Sequence, residues 1–362
     1  MGGPDTVRRW SAEALDYLDL EARAVPRVPL HRVPLPPQWD IALHVHDESA
    51  QPTGSVNHRL IRGHFREAVE SGRINEDTTV VTATGSTAAV AAAYFARLLD
   101  LPFIAVVPER TSAERIAEIE THGGKCVRWG PAVTLQDEGR RIAAENDGHF
   151  LDHFVGTDLA LAHEADTLAS DLFANLAETD HPVPDWIVVG ASTGATSSVL
   201  GRHLRHQGYP TKLAVVDSEN SAYFPGWISG AADYTTGTAT RIDGVGRPRV
   251  EPGFHFRLVD LLIPVPDAAS IAAMRHLRAC TGLESGPSTG THLWGVWELV
   301  SVMRRDGLTG SVATVLADGA EHHRHTYWND AWVTRQGWHP DPYLATIEGF
   351  LASGEWVPPD GR

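Results

Sequence analysis

Three short loops of this sequence combine glycines with hydroxyl side chains, the residue types that bind small anions. They are TGSVNH (residues 53–58), TATGSTA (82–88) and GASTGATS (190–197). Glycine lets the backbone approach a ligand closely, and Ser or Thr can cap the helix that follows. Each loop alone is as consistent with a structural turn as with a binding role. The three together favour a binding site for a small anionic ligand.

Histidine is the second residue type that could do chemistry, because the chain contains 19 of them. Imidazoles with a carboxylate can bind a divalent metal, although the spacing HHxH at residues 322–325 is not a recognised metal signature. Any single histidine is more simply explained as exposed or hydrogen-bonded. His58 could also act as a general base. The candidates for a metal-binding group are His58, His153, His322 and His325, with Asp318 or Glu321.

An alternation of strand and helix patterns must position these residues. The first run predicts strands at residues 78–82, 102–107 and 126–129, and helices at 88–99, 112–122 and 135–146. The second run predicts strands at 186–190, 212–217, 262–265 and 311–316, and helices at 197–206, 267–280 and 291–305. This alternation favours an α/β fold with parallel sheets, in which ligands bind at the carboxyl ends of the strands.

The composition argues against several classes of partner. A formal net charge of −16 disfavours nucleic acid and anionic membrane surfaces. No apolar run approaches the length of a membrane span, and no targeting segment is recognised near the start, so we expect a cytoplasmic protein. Cys126 and Cys280 are too few for a disulfide framework and lie in no Cys/His motif. Each is expected to be a small buried residue rather than a nucleophile.

In order and spacing, the loops and strands resemble the fold-type-II pyridoxal-phosphate (PLP) enzymes of the cysteine synthase and cystathionine β-synthase family. Within that family they are most similar to the L-cysteine desulfhydrases. The resemblance runs from about residue 43 to 332 and is carried by INEDTTVV, LPFIAVVP, WIVVGASTGATS, VVDSENSAYFP, IDGVGRPRVEP, VPDAASIAA and GPSTGT. It implies a two-domain, tryptophan-synthase-β-like architecture and a homodimer. The large domain is expected at residues 1–60 plus 160–362, and the small domain at 61–159.

The resemblance also identifies a missing group. In that family the loop at residues 53–59 carries the lysine that forms the Schiff base with PLP, and that position is Asn57 here. Asparagine forms no imine and has no useful pKa as a base. The chain has only two lysines, Lys125 and Lys212. Lys125 follows a helix-ending Gly-Gly and Lys212 begins a strand, so both are expected away from the carboxyl-end loops.

Other contacts that the resemblance implies are partly altered. The phosphate loop GTGGT of the family becomes Ser192, Thr193, Gly194, Ala195 and Thr196, where two added Cβ atoms should crowd both the phosphate and any positive φ angle. The serine beside the pyridine nitrogen becomes Gly319, and Gly244 is a further expected cofactor contact. The loop for the substrate carboxylate is better kept, as Thr84, Gly85, Ser86 and Thr87, with His153 as a further substrate contact.

Three hypotheses follow. The first is an enzyme acting on a small Cys- or Ser-like amino acid, descended from β-eliminating or β-replacing lyases, with catalytic positions at Asn57 and His58. It would hold PLP without a Schiff base or not use PLP at all. The second is a metal-dependent enzyme that uses the histidine group in the former PLP cleft. The third is a non-catalytic ligand-binding chain or partner subunit.

Overall fold

The structure, a computed structural model, describes residues 4–130, 135–155 and 168–359. Its helices are α1 (Pro4–Ala24), α2 (Asn57–Glu70), α3 (Thr87–Leu98), α4 (Ala113–Thr121), α5 (Leu135–Glu145), α6 (Leu168–Leu176), α7 (Ala195–Gln207), α8 (Tyr223–Ser229), α9 (Asp267–Thr281), α10 (Pro287–Arg305), α11 (Asp330–Arg335) and α12 (Asp341–Ser353). Its strands are β1 (Leu30–Val33), β2 (Ile41–Asp47), β3 (Val80–Ala83), β4 (Phe103–Pro108), β5 (Lys125–Trp129), β6 (His149–Phe150), β7 (Trp186–Gly190), β8 (Lys212–Ser218), β9 (Leu261–Val265) and β10 (Gly310–Leu316).

The chain forms two compact units. Unit 1 comprises Met1–Arg27 and Gln51–Ala165, and unit 2 comprises Val28–Ala50 and Asp166–Arg362. The domain boundary expected at residues 159 and 160 lies outside the described residues.

Unit 1 is built around a four-stranded sheet with the order β5-β4-β3-β6. All of its described pairings are parallel, and the buried residues of β3 alternate in side-chain direction so that both faces of the sheet are covered. One face packs on α2 and α3, whose alanines and phenylalanines form the core. The other face packs on α5, where Ile142 and Ala143 are buried. This arrangement confirms the first predicted run of strands and helices.

Unit 2 contains a six-stranded sheet with the order β1-β2-β10-β7-β8-β9. Strand β1 is antiparallel to β2, and the other described pairings are parallel. Helix α10 supplies much of the core through Leu293, Trp294 and Trp297, which are buried against apolar strand residues. The α/β fold class with parallel sheets is therefore confirmed. Within the described part of the chain, no helix is long and apolar enough to cross a membrane.

Helix α1 and residues 51–60 lie in unit 1, whereas the sequence predicted both in the larger domain. The reason is a set of long-range contacts that the sequence pattern does not display. Ala14 and Leu18 of α1 are buried in the same core as Ile61 and Phe65 of α2. Burial of this apolar face fixes α1 against α2.

Candidate functional site

The first residues of α2 and α3 meet in a hydrogen-bonded group within unit 1. The side-chain amide Nδ2 of Asn57 donates to Oγ1 of Thr87 at 2.8 Å. The hydroxyls of Ser55 and Thr87 are 3.0 Å apart, and the backbone N–H of Asn57 donates to Oγ of Ser55 at 3.2 Å. Ser55 and Thr87 are buried, while Asn57 is partly exposed. The position expected to carry a lysine thus holds a neutral amide that is bonded to the start of α3.

The loop expected to bind a carboxylate precedes α3. Ser86 caps this helix by accepting from the N–H of Ala88 at 3.3 Å. The N–H of Ser86 donates to Oγ1 of Thr84 at 3.2 Å, and the two hydroxyls are 3.0 Å apart. A Cβ at Gly85 would lie 2.6 Å from Oγ1 of Thr111, so any larger residue there would require the Thr111 side chain to move. Residues 84–86 are partly exposed at the amino end of a 12-residue helix, where partial positive charge favours a carboxylate.

His58 does not have the setting of a general base. Its Nε2 lies 2.8 Å from Oε1 of Glu21, and its Nδ1 lies 3.2 Å from Oγ1 of Thr53. The ring is fully buried, and burial lowers the pKa of His58 despite the opposing effect of Glu21. Arg62 also donates to Glu21, at 3.2 Å. The predicted catalytic role of His58 is therefore replaced by a structural one, in which a neutral imidazole joins α1 to α2.

The predicted histidine metal site is not formed. Across residues 4–130, 135–155 and 168–359, no group of three or more His, Cys, Asp or Glu side chains could hold a metal ion. His153 is buried with its ring centroid 4.2 Å from that of Phe154. Nε2 of His322 is 3.9 Å from the exposed carboxylate of Glu321, and His325 is exposed. The contact of His153 with a substrate stays a prediction.

The loop expected to bind phosphate precedes α7 in unit 2. Gly194 has a φ of +87°, and a Cβ there would lie 2.4 Å from the backbone of Gly253. The backbone at Ser192 and Ala195 takes no positive φ, so the expected conflict between their Cβ atoms and such an angle is wrong. Thr193 accepts from the N–H of Ala195 at 3.2 Å, which uses one donor of the first turn.

The remaining N–H groups of this turn can still receive an anion. Those of Thr196 and Ser197 have no acceptor within a helix that begins at Ala195. The carbonyl of Ser192 accepts from the hydroxyl of the buried Tyr223, and Ser198 donates to the carbonyl of Gly253 at 2.6 Å. The loop is thereby fixed on both sides, and its first turn fits a phosphate group.

The carboxylate of Glu321 lies close to Gly319 at the end of β10. A Cβ at Gly319 would lie 2.3 Å from both carboxylate oxygens of Glu321, so this side chain fills the space that a serine would use. The neighbouring Asp318 is buried and accepts from His323 at 2.7 Å and from Ser288 at 3.1 Å. A serine at residue 319 would therefore require the exposed side chain of Glu321 to move.

Gly244 lies in a loop that two tyrosines help to position, and neither role was predicted from the sequence. The hydroxyl of Tyr327 donates to the carbonyl of Arg241 at 2.6 Å and accepts from the N–H of Asp243 at 3.0 Å. The N–H of Gly246 donates to the carbonyl of Ala191 at 2.8 Å, which joins this loop to the phosphate loop fixed by Tyr223. Their signal in the sequence is only that each is an aromatic residue following a strand-end loop.

Neither lysine is placed for a Schiff base at a carboxyl-end loop. Lys125 is the first residue of β5, and Lys212 is the first residue of β8. Both are exposed, and Nζ of Lys212 lies 5.2 Å from the ring centroid of Trp186. Strands of this length span about 13 to 20 Å at 3.3 Å per residue, farther than a four-carbon stem reaches. Neither lysine therefore reaches the loop at the carboxyl end of its own strand, whereas the first turn of α7 fits a phosphate.

Neither cysteine has the lowered pKa of a nucleophilic thiol. Burial raises the pKa of the Cys126 thiol to about 11, and burial also raises the pKa of Cys280. Both thiols are partly buried, and neither is in a disulfide. Both cysteines therefore stay protonated at neutral pH, as the sequence indicated.

The fold and its loops define the class of protein to which the chain belongs. The sequence matches the pyridoxal-phosphate dependent enzyme family over residues 22–318, so the chain is a member of that family. The fold is similar to that of O-ureido-L-serine synthase, with a TM-score of 0.73 at 21% identity, over 88% of this chain and 98% of that one. It is also similar to a lysine-to-alanine mutant of that enzyme with O-ureido-L-serine bound, with a TM-score of 0.72 at 22% identity, over 89% and 98% of the two chains.

Within the family, the chain belongs with the enzymes of cysteine metabolism. It is 44% identical to L-cysteine desulfhydrase Cds1 of Mycobacterium tuberculosis, over 97% of this chain and 96% of that protein. It is 25% identical to cysteine synthase B of Campylobacter jejuni, over 77% of this chain and 89% of that protein. These relatives make the chain a member of the cysteine desulfhydrase and cysteine synthase family.

Proposed function

We propose that this chain binds a small Cys- or Ser-like amino acid and acts on it without a lysine–PLP Schiff base. The observation that carries the proposal is the state of residue 57. Its side chain is a carboxamide bonded to Thr87, beside a carboxylate-binding loop that keeps its glycine and hydroxyls. The similarity to an L-cysteine desulfhydrase supports the substrate class.

The residues of the loop would orient the ligand. The amino end of α3 is electropositive, and the hydroxyls of Thr84 and Ser86 hold the loop in a fixed shape. The N–H groups of Ala88 and Ala89 donate to Ser86, so a carboxylate placed there would accept from the N–H of Thr87, the first residue of the helix. The ligand would then be bound by its carboxylate, which leaves its side chain free to react or to be recognised by other residues of the protein.

PLP is compatible with this proposal only as a group held without a covalent bond. Its phosphate would lie at the first turn of α7, where the N–H groups of Thr196 and Ser197 have no helical acceptor. When bound, PLP withdraws electrons from an attached amino acid. The two lysines, Lys125 and Lys212, each begin a strand and so lie away from its carboxyl-end loop.

A borohydride trapping experiment tests the missing Schiff base. The parent and Asn57→Lys are each incubated with PLP, reduced and examined by intact mass spectrometry and visible absorbance. We expect no adduct on the parent and one PLP adduct on Asn57→Lys, because that change places an amine at the start of α2. Lys125→Arg and Lys212→Arg in the Asn57→Lys background are the matched controls and should keep the adduct. One stoichiometric adduct on the parent would contradict the proposal.

A non-catalytic ligand-binding chain is the second candidate, and the same neutral residue 57 favours it because a carboxamide cannot move a proton. Turnover separates the two. Purified protein is assayed for sulfide and for ammonia from L-cysteine, with Thr87→Val as the variant in which the loop is damaged. Sulfide release that Thr87→Val abolishes supports an enzyme, and tight binding without turnover supports a sensor or partner subunit. We also propose a homodimer, which light scattering tests.

A further inference from the structure

Among the residues that the structure describes, one polar atom of the Asn57 side chain has no hydrogen-bond partner. A carboxamide has two donors on its nitrogen and an acceptor oxygen. Nδ2 donates to Thr87 at 2.8 Å, and in the described part of the chain Oδ1 has no bonded group. Asn57 is partly exposed, whereas Thr87 and Ser55 behind it are buried. The bond to Thr87 orients the carboxamide, so its oxygen is an acceptor fixed beside the carboxylate loop.

We propose that Oδ1 of Asn57 accepts a hydrogen bond from the ammonium group of an intact α-amino acid. This inference rests on the proposed function, because it takes the ligand carboxylate to lie at residues 84–87. In an α-amino acid a single carbon separates the carboxylate from the ammonium group. The groups that recognise the two must therefore be neighbours, and Asn57 and Thr87 are in direct contact.

The charge of residue 57 determines which ligand suits the site. A protonated lysine would repel a ligand ammonium group, and a neutral lysine would react with carbonyl compounds. A carboxamide does neither, and a hydrogen bond from an ammonium group to its oxygen is charge-assisted and strong. The carboxylate end of the ligand is favoured by the partial positive charge of the α3 amino end. Asn57 therefore makes the site selective for a free zwitterion over a carboxylic acid that lacks the amine.

Paired ligands test this assignment by isothermal titration calorimetry on the full chain. L-Serine and 3-hydroxypropionate share the carboxylate and the hydroxyl, and they differ in the ammonium group. We expect the parent to bind L-serine at least about tenfold more tightly, as for a hydrogen bond to a charged group. In Asn57→Leu, which has similar volume and no acceptor, the ratio should fall towards one through weaker binding of L-serine. Asn146→Ala, which changes an asparagine at the end of α5, is the matched control and should keep the ratio.

A second variant separates contact with the ligand from mere positioning of the loop. Asn57→Asp keeps acceptor oxygens but loses the Nδ2 donor to Thr87. If residue 57 contacts the ammonium group, Asn57→Asp retains the preference for L-serine although both ligands bind more weakly. If residue 57 only positions the loop, Asn57→Asp and Asn57→Leu weaken the two ligands equally, which would overturn the assignment. Equal affinities in the parent would also overturn it while leaving the carboxylate site intact, and no binding of either ligand would overturn the proposed function as well.

Discussion

Glu21 and His58 form a buried pair in unit 1, with 2.8 Å between Oε1 of the carboxylate and Nε2 of the imidazole. Burial by itself would raise the pKa of Glu21, but the hydrogen bond from His58 and the charges nearby outweigh it and lower the pKa. Arg62 and Tyr94 also donate to this carboxylate, at 3.2 Å and 3.4 Å. One side chain of α1 therefore satisfies three donors from α2 and α3, and the pair is an anchor for the helix.

Glu21→Gln is expected to destabilise the protein strongly. The substitution removes the charge of a buried carboxylate that Arg62 and His58 both contact, and breaking a buried pair in this way costs about 3–5 kcal/mol. Urea unfolding of the parent and the variant measures the loss. Glu13→Gln breaks an exposed pair with Arg9 on the same helix and should change stability little. Equal effects of the two substitutions would show that the buried pair is not an anchor.

The stability of the protein should fall in mild acid because His292 is buried in a neutral state. Burial lowers the pKa of His292 to about 4, while its Nδ1–H donates to the carbonyl of Val315 at 2.8 Å. The unfolded chain binds this proton near pH 6.5 and the folded chain near pH 4. The stabilisation that neutral His292 contributes to the folded state is therefore complete above about pH 6.5. It is lost as the pH falls towards 4, by up to about 1.4 kcal/mol per pH unit.

His292→Gln tests this contribution through its pH dependence. The free energy of unfolding is measured in denaturant at several values between pH 7 and pH 5. The slope of that free energy against pH should be smaller in His292→Gln than in the parent, by up to about 1.4 kcal/mol per pH unit, which corresponds to the uptake of one proton. Thr291→Val, at a neighbouring buried position whose hydroxyl bonds Pro287, should lower stability by the same amount at every pH. A slope unchanged in His292→Gln would assign the acid sensitivity to other groups.

The sequence predicted those parts of the fold that local patterns encode. Strands β7 and β8 begin at the predicted residues because β-branched runs mark them clearly. The pairing of β2 with β10, which runs from Ile41↔Gly310 to Asp47↔Leu316, was not predicted. A pairing between strands so far apart in sequence leaves no periodic signal. The same holds for the packing of α1 on α2, which places α1 in unit 1 rather than in the larger domain where it was expected.

In the candidate site, too, local features were predicted from the sequence and long-range contacts were not. Residues 84–87 and Gly194 were predicted from glycine and hydroxyl chemistry, which is local. The environment of His58 was not, because its partner Glu21 lies 37 residues earlier on another helix. The conflict with a positive φ expected at Ser192 and Ala195 was wrong, because only the actual backbone angles show that Gly194 is the residue of this loop with a positive φ. The crowding of a phosphate by their Cβ atoms stays a prediction. The spacing of residues in the sequence indicates which side chains could form a site. Their burial and their hydrogen-bond partners in the structure determine what chemistry those side chains can do.

Thr87→Val should weaken both stability and ligand binding. The buried hydroxyl of Thr87 accepts from Asn57 and lies 3.0 Å from Oγ of Ser55. Valine keeps the shape but leaves these polar groups without a partner, at a cost of about 1–3 kcal/mol. Urea unfolding and calorimetry with L-serine measure the two effects. Thr87→Ser keeps the hydroxyl and is the matched control, so a loss as large as that of Thr87→Val would point to packing of the methyl group instead.

Gly194→Ala should disrupt the loop before α7 more than an equivalent change elsewhere on that helix. Gly194 and Gly208 flank α7, and both have positive φ, at +87° and +66°. Alanine at Gly208 meets nothing within 4 Å, so we expect only the backbone cost of about 1 kcal/mol. Alanine at Gly194 adds a Cβ 2.4 Å from the backbone of Gly253, so the loop must move and about 3 kcal/mol or more should be lost. Urea unfolding compares the two variants, and equal losses would mean that the loop can shift freely away from Gly253.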